Sequence, residues 1–326
     1  MSLKNIAKKL ETEDNYIILG HIDPDADCIG SMVALNYILA KLNKKSHPVF
    51  SQDPPENLKF LFAGKNENLN YSLLADFEPS ALNWSFYNII CLDCGDRDRL
   101  GEGKNLLANN YSINIDHHID NTRFGDINYV NPDMAATGQI IYNLGKILQD
   151  QIDVFPGTAI AAAIISDTGS FRYQNTDPDV FRLIADLMDN EVDIYRVNRK
   201  LYSQNSYASL KLKGQALTTL ELDDSGKIAW LYIDQKMLAE TKTGPEAASG
   251  LVNYARDIQG VEIGICFTAI NDEEIKVSLR SSENCPVHKI AAIFNGGGHP
   301  RAAGCTINSS MNQAIASILE EVKKFV

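Results

Sequence analysis

The sequence predicts a two-domain α/β protein: an N-terminal domain with a mainly parallel sheet flanked by helices, then a smaller C-terminal α/β domain. Three observations carry this. Over residues 1–190, short apolar runs alternate with segments of helical periodicity, the pattern of a parallel sheet with crossover helices. After Glu221 the order changes, and strand-like runs face each other across a short turn before helical segments return. A chain of 326 residues, 44% of them hydrophobic, also has apolar material for two cores. The expected limits are 1–190 for the first domain, a helical linker over 191–220, and 221–326 for the second.

Taken in order, residues 16–20 form a short apolar run that ends at a polar loop. Ile29, Met32, Val33, Asn36, Ile38, Leu39 and Leu42 recur mostly at helical spacing and predict a helix over 29–42. Runs at 48–51, 88–92 and 112–115 read as further strands, and 138–148 and 178–188 as helices. The Ala- and Ile-rich stretch 158–166 reads as a helix buried on most sides. From 192 to 220 the pattern is helical but more polar, with Tyr207, Leu210, Leu212 and Leu217 loosely periodic. Residues 227–233 and 261–270 look like strands, with 275–279 a hairpin partner across Asn271-Asp272. Helices are expected over 245–258, 287–294 and 311–325, and there is no internal repeat or low-complexity tract.

Composition narrows the function classes. A net charge of −12 has the wrong sign for a broad basic surface that grips long nucleic acid. A small anionic substrate remains compatible if metal ions supply local positive charge, and an acid-rich site recruits them. The N-terminus has no apolar signal region, and apolar stretches such as 159–165 are too short to cross a bilayer, so the chain reads as soluble and cytoplasmic. The six cysteines have no framework spacing and read as reduced thiols. Cys91 and Cys94 form a CxxC within an apolar run, and alternation along a strand would point them to opposite faces, against a zinc or redox pair.

Chemistry concentrates where apolar runs stop. After the first run come His21-Ile22-Asp23-Pro24-Asp25-Ala26-Asp27, four potential ligands on one loop. In an extended loop, Asp25 and Asp27 point the same way, and their repulsion calls for a cation. The plainer alternative is an acidic turn with Asp27 as N-cap of the next helix. A second cluster, Asp93-Cys94-Gly95-Asp96, ends another strand, and a third, Asp116-His117-His118, ends a third strand. Asp167 closes the Ala/Ile-rich helix. Ligand sites in open α/β sheets collect at this carboxyl edge. Three of the six histidines fall in these clusters. Near the C-terminus, Gly296-Gly297-Gly298-His299-Pro300-Arg301 can expose backbone amides to an anion beside a guanidinium fork, although three glycines also serve as a flexible turn. Arg97, Asp98 and Arg99 read as a solvated charged loop, Asp23 as a turn former, and Asn131 and Thr137 are left without a role.

In order and spacing these motifs resemble the DHH phosphoesterase family: His21-x3-Asp25-x-Asp27 with Gly30-Ser31, then Asp93, Asp116-His117-His118 and Asp167. The segment 296–304, GGGHPRAAG, resembles the DHHA1 substrate-binding domain, so the resemblance runs from His21 to Gly304. It implies a DHH catalytic domain followed by a DHHA1 domain, in the branch of nanoRNases (oligoribonucleases) and pAp phosphatases. It also implies two divalent ions, Mn²⁺ first, with Mg²⁺ and Co²⁺ as alternatives. His21 and Asp25 would hold one ion, and Asp27, His117 and Asp167 the other, with Asp93 bridging. An oxygen-rich donor set with one imidazole per ion suits these metals better than thiolate-preferring ones. Asp116 is expected to orient His117 from behind, and His118 to face the substrate phosphate. Arg280, Gly297, Gly298, His299 and Arg301 are expected to bind substrate.

The activity this implies is hydrolysis of short oligoribonucleotides from the 3′ end, hydrolysis of pAp to AMP, or both. Cyclic di-AMP or pApA phosphodiesterase activity is the alternative, since the same groups would grip phosphate in each. Inorganic pyrophosphatase or exopolyphosphatase relatives usually carry a different C-terminal domain. A nucleotide sensor without turnover would lack a ligand, and none of the six is missing. Relatives are often homodimers, but no apolar stripe in the sequence compels it.

Overall fold

A computed structural model describes residues 2–63, 69–282 and 285–326, with His299 described through its backbone alone. The chain divides into two compact units, Met1–Gln204 and Asn205–Val326.

The first unit contains strands β1 (Tyr16–Leu19), β2 (Ser46–Phe50), β3 (Ser72–Leu73), β4 (Asn88–Leu92), β5 (Ser112–Asp116) and β6 (Ile127–Val130). They form one sheet in the order β3-β2-β1-β4-β5-β6, parallel throughout. The chain builds outward from β1 to β3, then returns to the other side of β1, so the direction switches between β1 and β4. Ligand crevices of open α/β sheets form outside the carboxyl ends at such a point. Every residue of β1, β4 and β5 is buried, which is why these strands read as unbroken apolar runs rather than alternating ones. β6 is mostly half-buried and escaped the reading, as did the two-residue β3, because neither carries a continuous apolar signal.

The helices of this unit are α1 (Leu3–Thr12), α2 (Ala26–Lys41), α3 (Thr137–Leu148), α4 (Val154–Asp167), α5 (Pro178–Asp189) and α6 (Ile194–Tyr202). α2 begins before its apolar periodicity because Asp25, not Asp27, is the N-cap; its carboxylate accepts from Asp27 N at 3.0 Å and Cys28 N at 3.1 Å. The two acids therefore occupy a cap and a first helical turn instead of one face of an extended loop. α2 and α4 are buried along most of their length and pack backbone to backbone at Gly30, where a Cβ would lie 2.5 Å from the Ala159 carbonyl oxygen.

The stretch read as a linker divides between the units. α6 ends the first, with Val197 buried against its core, and α7 (Tyr207–Leu217) opens the second, burying Leu212 and Ala216. The second unit adds strands β7 (Glu221–Leu222), β8 (Ile228–Ile233), β9 (Ile263–Asn271), β10 (Glu274–Ser281), β11 (Gly297–His299) and β12 (Ala302–Ile307). Its sheet runs β11-β12-β10-β9-β8-β7, with only β8 and β9 parallel. Helices α8 (Gln235–Thr241), α9 (Val252–Arg256), α10 (Val287–Ile293) and α11 (Met311–Val322) complete it. The helix expected over 245–258 is instead a 3₁₀ turn, Pro245–Ala248, followed by the short α9. The glycine run is a strand rather than a flexible turn: Gly298 has φ +140°, and a Cβ there would meet the Ala302 carbonyl oxygen at 2.4 Å.

All six cysteines are free and buried. Cys91 and Cys94 share one apolar cluster with Ile17, Leu19 and Leu100, contrary to the opposite faces expected, because Asp93 between them has φ +55° and breaks the alternation. Among the described residues, no helix is long and apolar enough to cross a membrane.

Candidate metal centre

His21, Asp93 and Asp116 stand at the carboxyl ends of β1, β4 and β5, three adjacent strands, so the sheet brings them side by side. His21 Nε2 lies 3.5 Å from Asp93 Oδ2 and 3.9 Å from Asp25 Oδ1. His117 Nε2 lies 3.3 Å from Asp167 Oδ2, 3.7 Å from Asp27 Oδ2 and 3.7 Å from Asp93 Oδ1. The two oxygens of one carboxylate, Asp93, thus face two different histidines. The other five side chains singled out as ligands gather around Asp93 from separate parts of the first unit.

Backbone geometry and neighbours hold these groups in place. Asp93 sits in the left-handed region at φ +55°, an uncommon conformation for a non-glycine residue that turns its side chain across the strand ends. Thr137 Oγ1 donates to Asp93 Oδ1 at 3.1 Å. Asp27 is 1% exposed and takes three bonds: from Thr137 N at 2.7 Å, Gly138 N at 2.8 Å and Ser31 Oγ at 3.1 Å. Thr137 and Gly138 open α3, whose own N-cap, Ala136, offers no side-chain acceptor, so Asp27 on α2 caps α3 from across the fold. Gly138 has no room for a side chain, since a Cβ would meet Ala163 Cβ at 2.4 Å. Gly138→Ala is expected to cost about 1–3 kcal/mol through overpacking, read as a lower urea midpoint at unchanged slope; an unchanged midpoint would refute this packing.

The histidine tautomers follow from their second nitrogens. His21 Nδ1 is 2.6 Å from the Ile22 carbonyl oxygen and His117 Nδ1 is 3.2 Å from that of Met134. A carbonyl oxygen only accepts, so each Nδ1 carries a proton, and Nε2 is the nitrogen left to meet a metal ion once any proton on it is given up. Asp116 does not orient the His117 ring as expected. Its Oδ1 accepts from His118 Nδ1 at 2.7 Å and from the His117 backbone N at 2.8 Å. Asp116 points back along its own short turn, where the His118 ring is the imidazole within reach. Asn121 steadies it, donating to Asp116 Oδ2 at 2.5 Å and to the Cys94 carbonyl at 3.1 Å.

The donor set fits divalent cations. Oxygen and nitrogen ligands about 2.1 Å from one ion lie about 3.0 Å apart at right angles and about 4.2 Å apart across it. The 3.3–3.9 Å separations fall in that range. Charge makes the same case. Burial and the neighbouring Asp93 and Asp25 carboxylates push the Asp27 carboxyl well above its usual range. Burial and the charges of Asp27, Asp25 and Asp93 do the same to Asp167. Burial opposes charge on His21, yet Asp25 and Asp93 hold its pKa up to about 10. A cluster that raises carboxyl pKa values and draws a proton onto a buried imidazole is one that cations would settle. Cys28 lies within ligand distance of His21 and Asp93, but burial pushes its thiol well above the usual range, which disfavours a thiolate ligand.

Other predicted residues separate clearly. Asp23 is exposed with φ +53°, in keeping with a turn former. Asp98 pairs with Lys104 at 2.7 Å and Arg97 is exposed, as a solvated loop requires, but Arg99 is half-buried with Nη2 3.2 Å from His21 Nδ1. In the second unit, Ala302 of β12 pairs with Arg280 on one side and His299 on the other, with Arg301 the next residue. Arg280 is half-buried and donates to the Leu279 carbonyl at 2.9 Å; Arg301 is exposed; the His299 side chain lies outside the described residues. Gly297 and Gly298 belong to an edge strand, so one row of its backbone groups has no partner in the sheet. Thr137, Gly138 and Asn121 went unassigned in the sequence. The first two act partly or wholly through backbone N–H groups, and the single signal for them was a helix start without a capping side chain.

Known proteins resemble the chain in both of its domains. The model for the DHH family N-terminal domain matches residues 15–166, and that for the DHHA1 domain matches 226–326. The bifunctional oligoribonuclease and PAP phosphatase NrnA of Thermus thermophilus is 30% identical over 99% of this chain and 94% of its own. A probable bifunctional oligoribonuclease and PAP phosphatase NrnA of Streptococcus mutans is 28% identical over 100% of this chain and 99% of its own. The crystal structure of an exopolyphosphatase-related protein from Bacteroides fragilis superposes with a TM-score of 0.91 at 25% identity, covering 99% of this chain and 96% of that one. With a DHH domain, a DHHA1 domain and relatives that match it from end to end, the chain belongs to the DHH family of phosphoesterases, in the branch that contains the bifunctional oligoribonucleases and PAP phosphatases.

Proposed function

We propose that this hydrolase cleaves short oligoribonucleotides from the 3′ end and pAp to AMP, at a pair of divalent ions, Mn²⁺ first. The carrying observation is Asp93, with Oδ2 3.5 Å from His21 Nε2 and Oδ1 3.7 Å from His117 Nε2. In this reading His21 and Asp25 hold one ion, Asp27, His117 and Asp167 the other, and Asp93 bridges. Bound there, the ions supply Lewis-acid charge that lowers the pKa of a water toward neutrality and polarises phosphoryl oxygens. The second unit supplies substrate binding through Arg280, Gly297, Gly298, His299 and Arg301, and the chain works as a cytoplasmic enzyme. The net charge of −12 supports short rather than long nucleic acid as substrate.

His118 is the proton donor in this scheme. Burial opposes its charge, but the bond to Asp116 and the charges of Asp93 and Asp27 hold its pKa up to about 9. The Asp116 carboxylate, 2.7 Å from Nδ1, favours the charged ring, and the imidazolium can protonate a leaving oxygen. A group whose pKa is raised acts as an acid until pH climbs through that value, so activity should fall on the alkaline side. Asp116→Asn removes the charge that stabilises the imidazolium, and the alkaline limb of the kcat/KM profile is expected to move to lower pH. A limb that stays in place removes His118 from this role.

The function is tested on one panel: pAp, RNA and DNA of two to five nucleotides (~2–5, short enough to need few phosphate contacts), pApA, cyclic di-AMP and pyrophosphate, with Mn²⁺ and with chelator. Mononucleotide from the short RNA and phosphate from pAp are expected, with no turnover in chelator. Faster cleavage of cyclic di-AMP or pApA would transfer the assignment to those substrates.

A further inference from the structure

Arg99 is a cation that its surroundings do not explain. Its backbone is pinned beside the β1 loop, since Ile22 N donates to the Arg99 carbonyl at 2.7 Å and the next residue, Leu100, is 1% exposed in an apolar cluster. Its guanidinium is half-buried beside a candidate ligand, with Nη2 3.2 Å from His21 Nδ1. That contact is not a hydrogen bond in the tautomer that leaves Nε2 open for a metal. There Nδ1 carries a proton and donates to the Ile22 carbonyl at 2.6 Å, so it has no lone pair for a second donor. Among the described residues, no carboxylate lies within ion-pair distance of Arg99. The acids of its own segment are engaged elsewhere or exposed: Asp98 pairs with Lys104, and Asp96 caps its own turn by accepting from Asp98 N at 2.8 Å. Five N–H donors in a fixed fork are thus held one imidazole ring away from the carboxylate cluster, and among the described residues their one side-chain neighbour within 3.5 Å is His21 Nδ1.

We infer that Arg99 is a substrate-contacting residue, whose guanidinium binds a non-bridging phosphate oxygen of the ester being hydrolysed. The chemistry fits: a guanidinium fork matches two phosphate oxygens, keeps its charge at any working pH, and stabilises the charge that phosphoryl transfer concentrates on those oxygens. It also explains why a loop with the makeup of solvated surface places one of its two arginines against His21 while Arg97 points outward. This assignment rests on the phosphoesterase reading and adds a contact from the first unit to those assigned to the second.

The competing role is structural, with Arg99 only steadying the His21 ring. The two roles part in what they move. Arg99→Ala and Arg99→Lys are compared with the unaltered full chain in three measurements: kcat and KM on pAp at saturating Mn²⁺, Mn²⁺ binding by titration, and inhibition by orthophosphate. For Arg99→Ala, kcat/KM is expected to fall about 10²–10³-fold, as when one transition-state donor is lost. Orthophosphate inhibition should weaken, Mn²⁺ affinity should stay, and millimolar guanidinium should restore part of the activity. Arg99→Lys should lie between, since a point charge replaces the fork. A kcat/KM within about threefold of the parent, or a loss of Mn²⁺ affinity with orthophosphate inhibition intact once metal is saturating, overturns the assignment. If the parent itself turns over nothing on pAp, the phosphoesterase reading fails. Orthophosphate binding to the Mn²⁺-loaded proteins, read calorimetrically, then still decides for or against Arg99.

Discussion

Asp93→Asn is expected to lower kcat/KM by at least about 10³-fold and to leave the protein with fewer than two tightly bound Mn²⁺ ions per chain. The amide keeps the size of the side chain and removes the charge, and one of its two polar ends becomes a donor that cannot ligate. Either end of Asp93 faces a histidine: Oδ2 toward His21 and Oδ1 toward His117. Whichever way the amide turns, one candidate ion loses its shared ligand. Metal content by mass spectrometry, together with turnover on pAp, checks both halves. Wild-type activity in the variant would remove the bridge and, with it, the paired-ion reading. Two ions retained with activity lost would keep the site and assign Asp93 to chemistry rather than to binding.

Asp27→Ala should be the most destabilising substitution at the centre when metal is absent. Three donors, Thr137 N, Gly138 N and Ser31 Oγ, lose their acceptor in a place water does not reach. Each buried donor left unpaired costs about 1–3 kcal/mol, and relief of repulsion from Asp93 and Asp25 returns part of that. A net loss of about 3–5 kcal/mol lowers the melting temperature by about 10 °C in a unit of this size. The melt is run in chelator, so that loss of a metal ligand does not contribute. A midpoint within about 2 °C of the parent would mean that the cap on α3 carries little weight. Asp27→Asn should fall between the two, because its one remaining acceptor can satisfy only part of the set.

The edge that carries the candidate site was readable because buried parallel strands advertise themselves. The runs that became β1, β4 and β5 are apolar throughout, so the first acid or imidazole after each one marks the strand end, and strand ends in this architecture lie together. What supports the ligands was not readable. Thr137 and Gly138 work largely through amide N–H groups that every residue has, and their partner, Asp27, is 110 positions away for one and 111 for the other. Asp116 was assigned to the wrong ring because the choice between His117 and His118 depends on how a turn closes, not on spacing. β11 was not read as a strand because three glycines carry no strand signal; its ladder with β12 is written in the partner strand. Arg99 was grouped with its charged neighbours because composition cannot distinguish an arginine facing outward from one lying against a histidine.

The wide dispersal of the six candidate ligands, from His21 to Asp167, bears on how the protein is made. During synthesis the loop after β1 emerges early, with its acids and no partners. The candidate metal site is unfinished until α4 has left the ribosome, so any ion capture there belongs to a late stage of the first unit's folding. Pairing distant segments is also slow, since loop closure comes before the contacts that reward it. A newly made chain without divalent ions would thus reach its compact state with several acids crowded together, and would be easier to unfold than one in which cations had settled them.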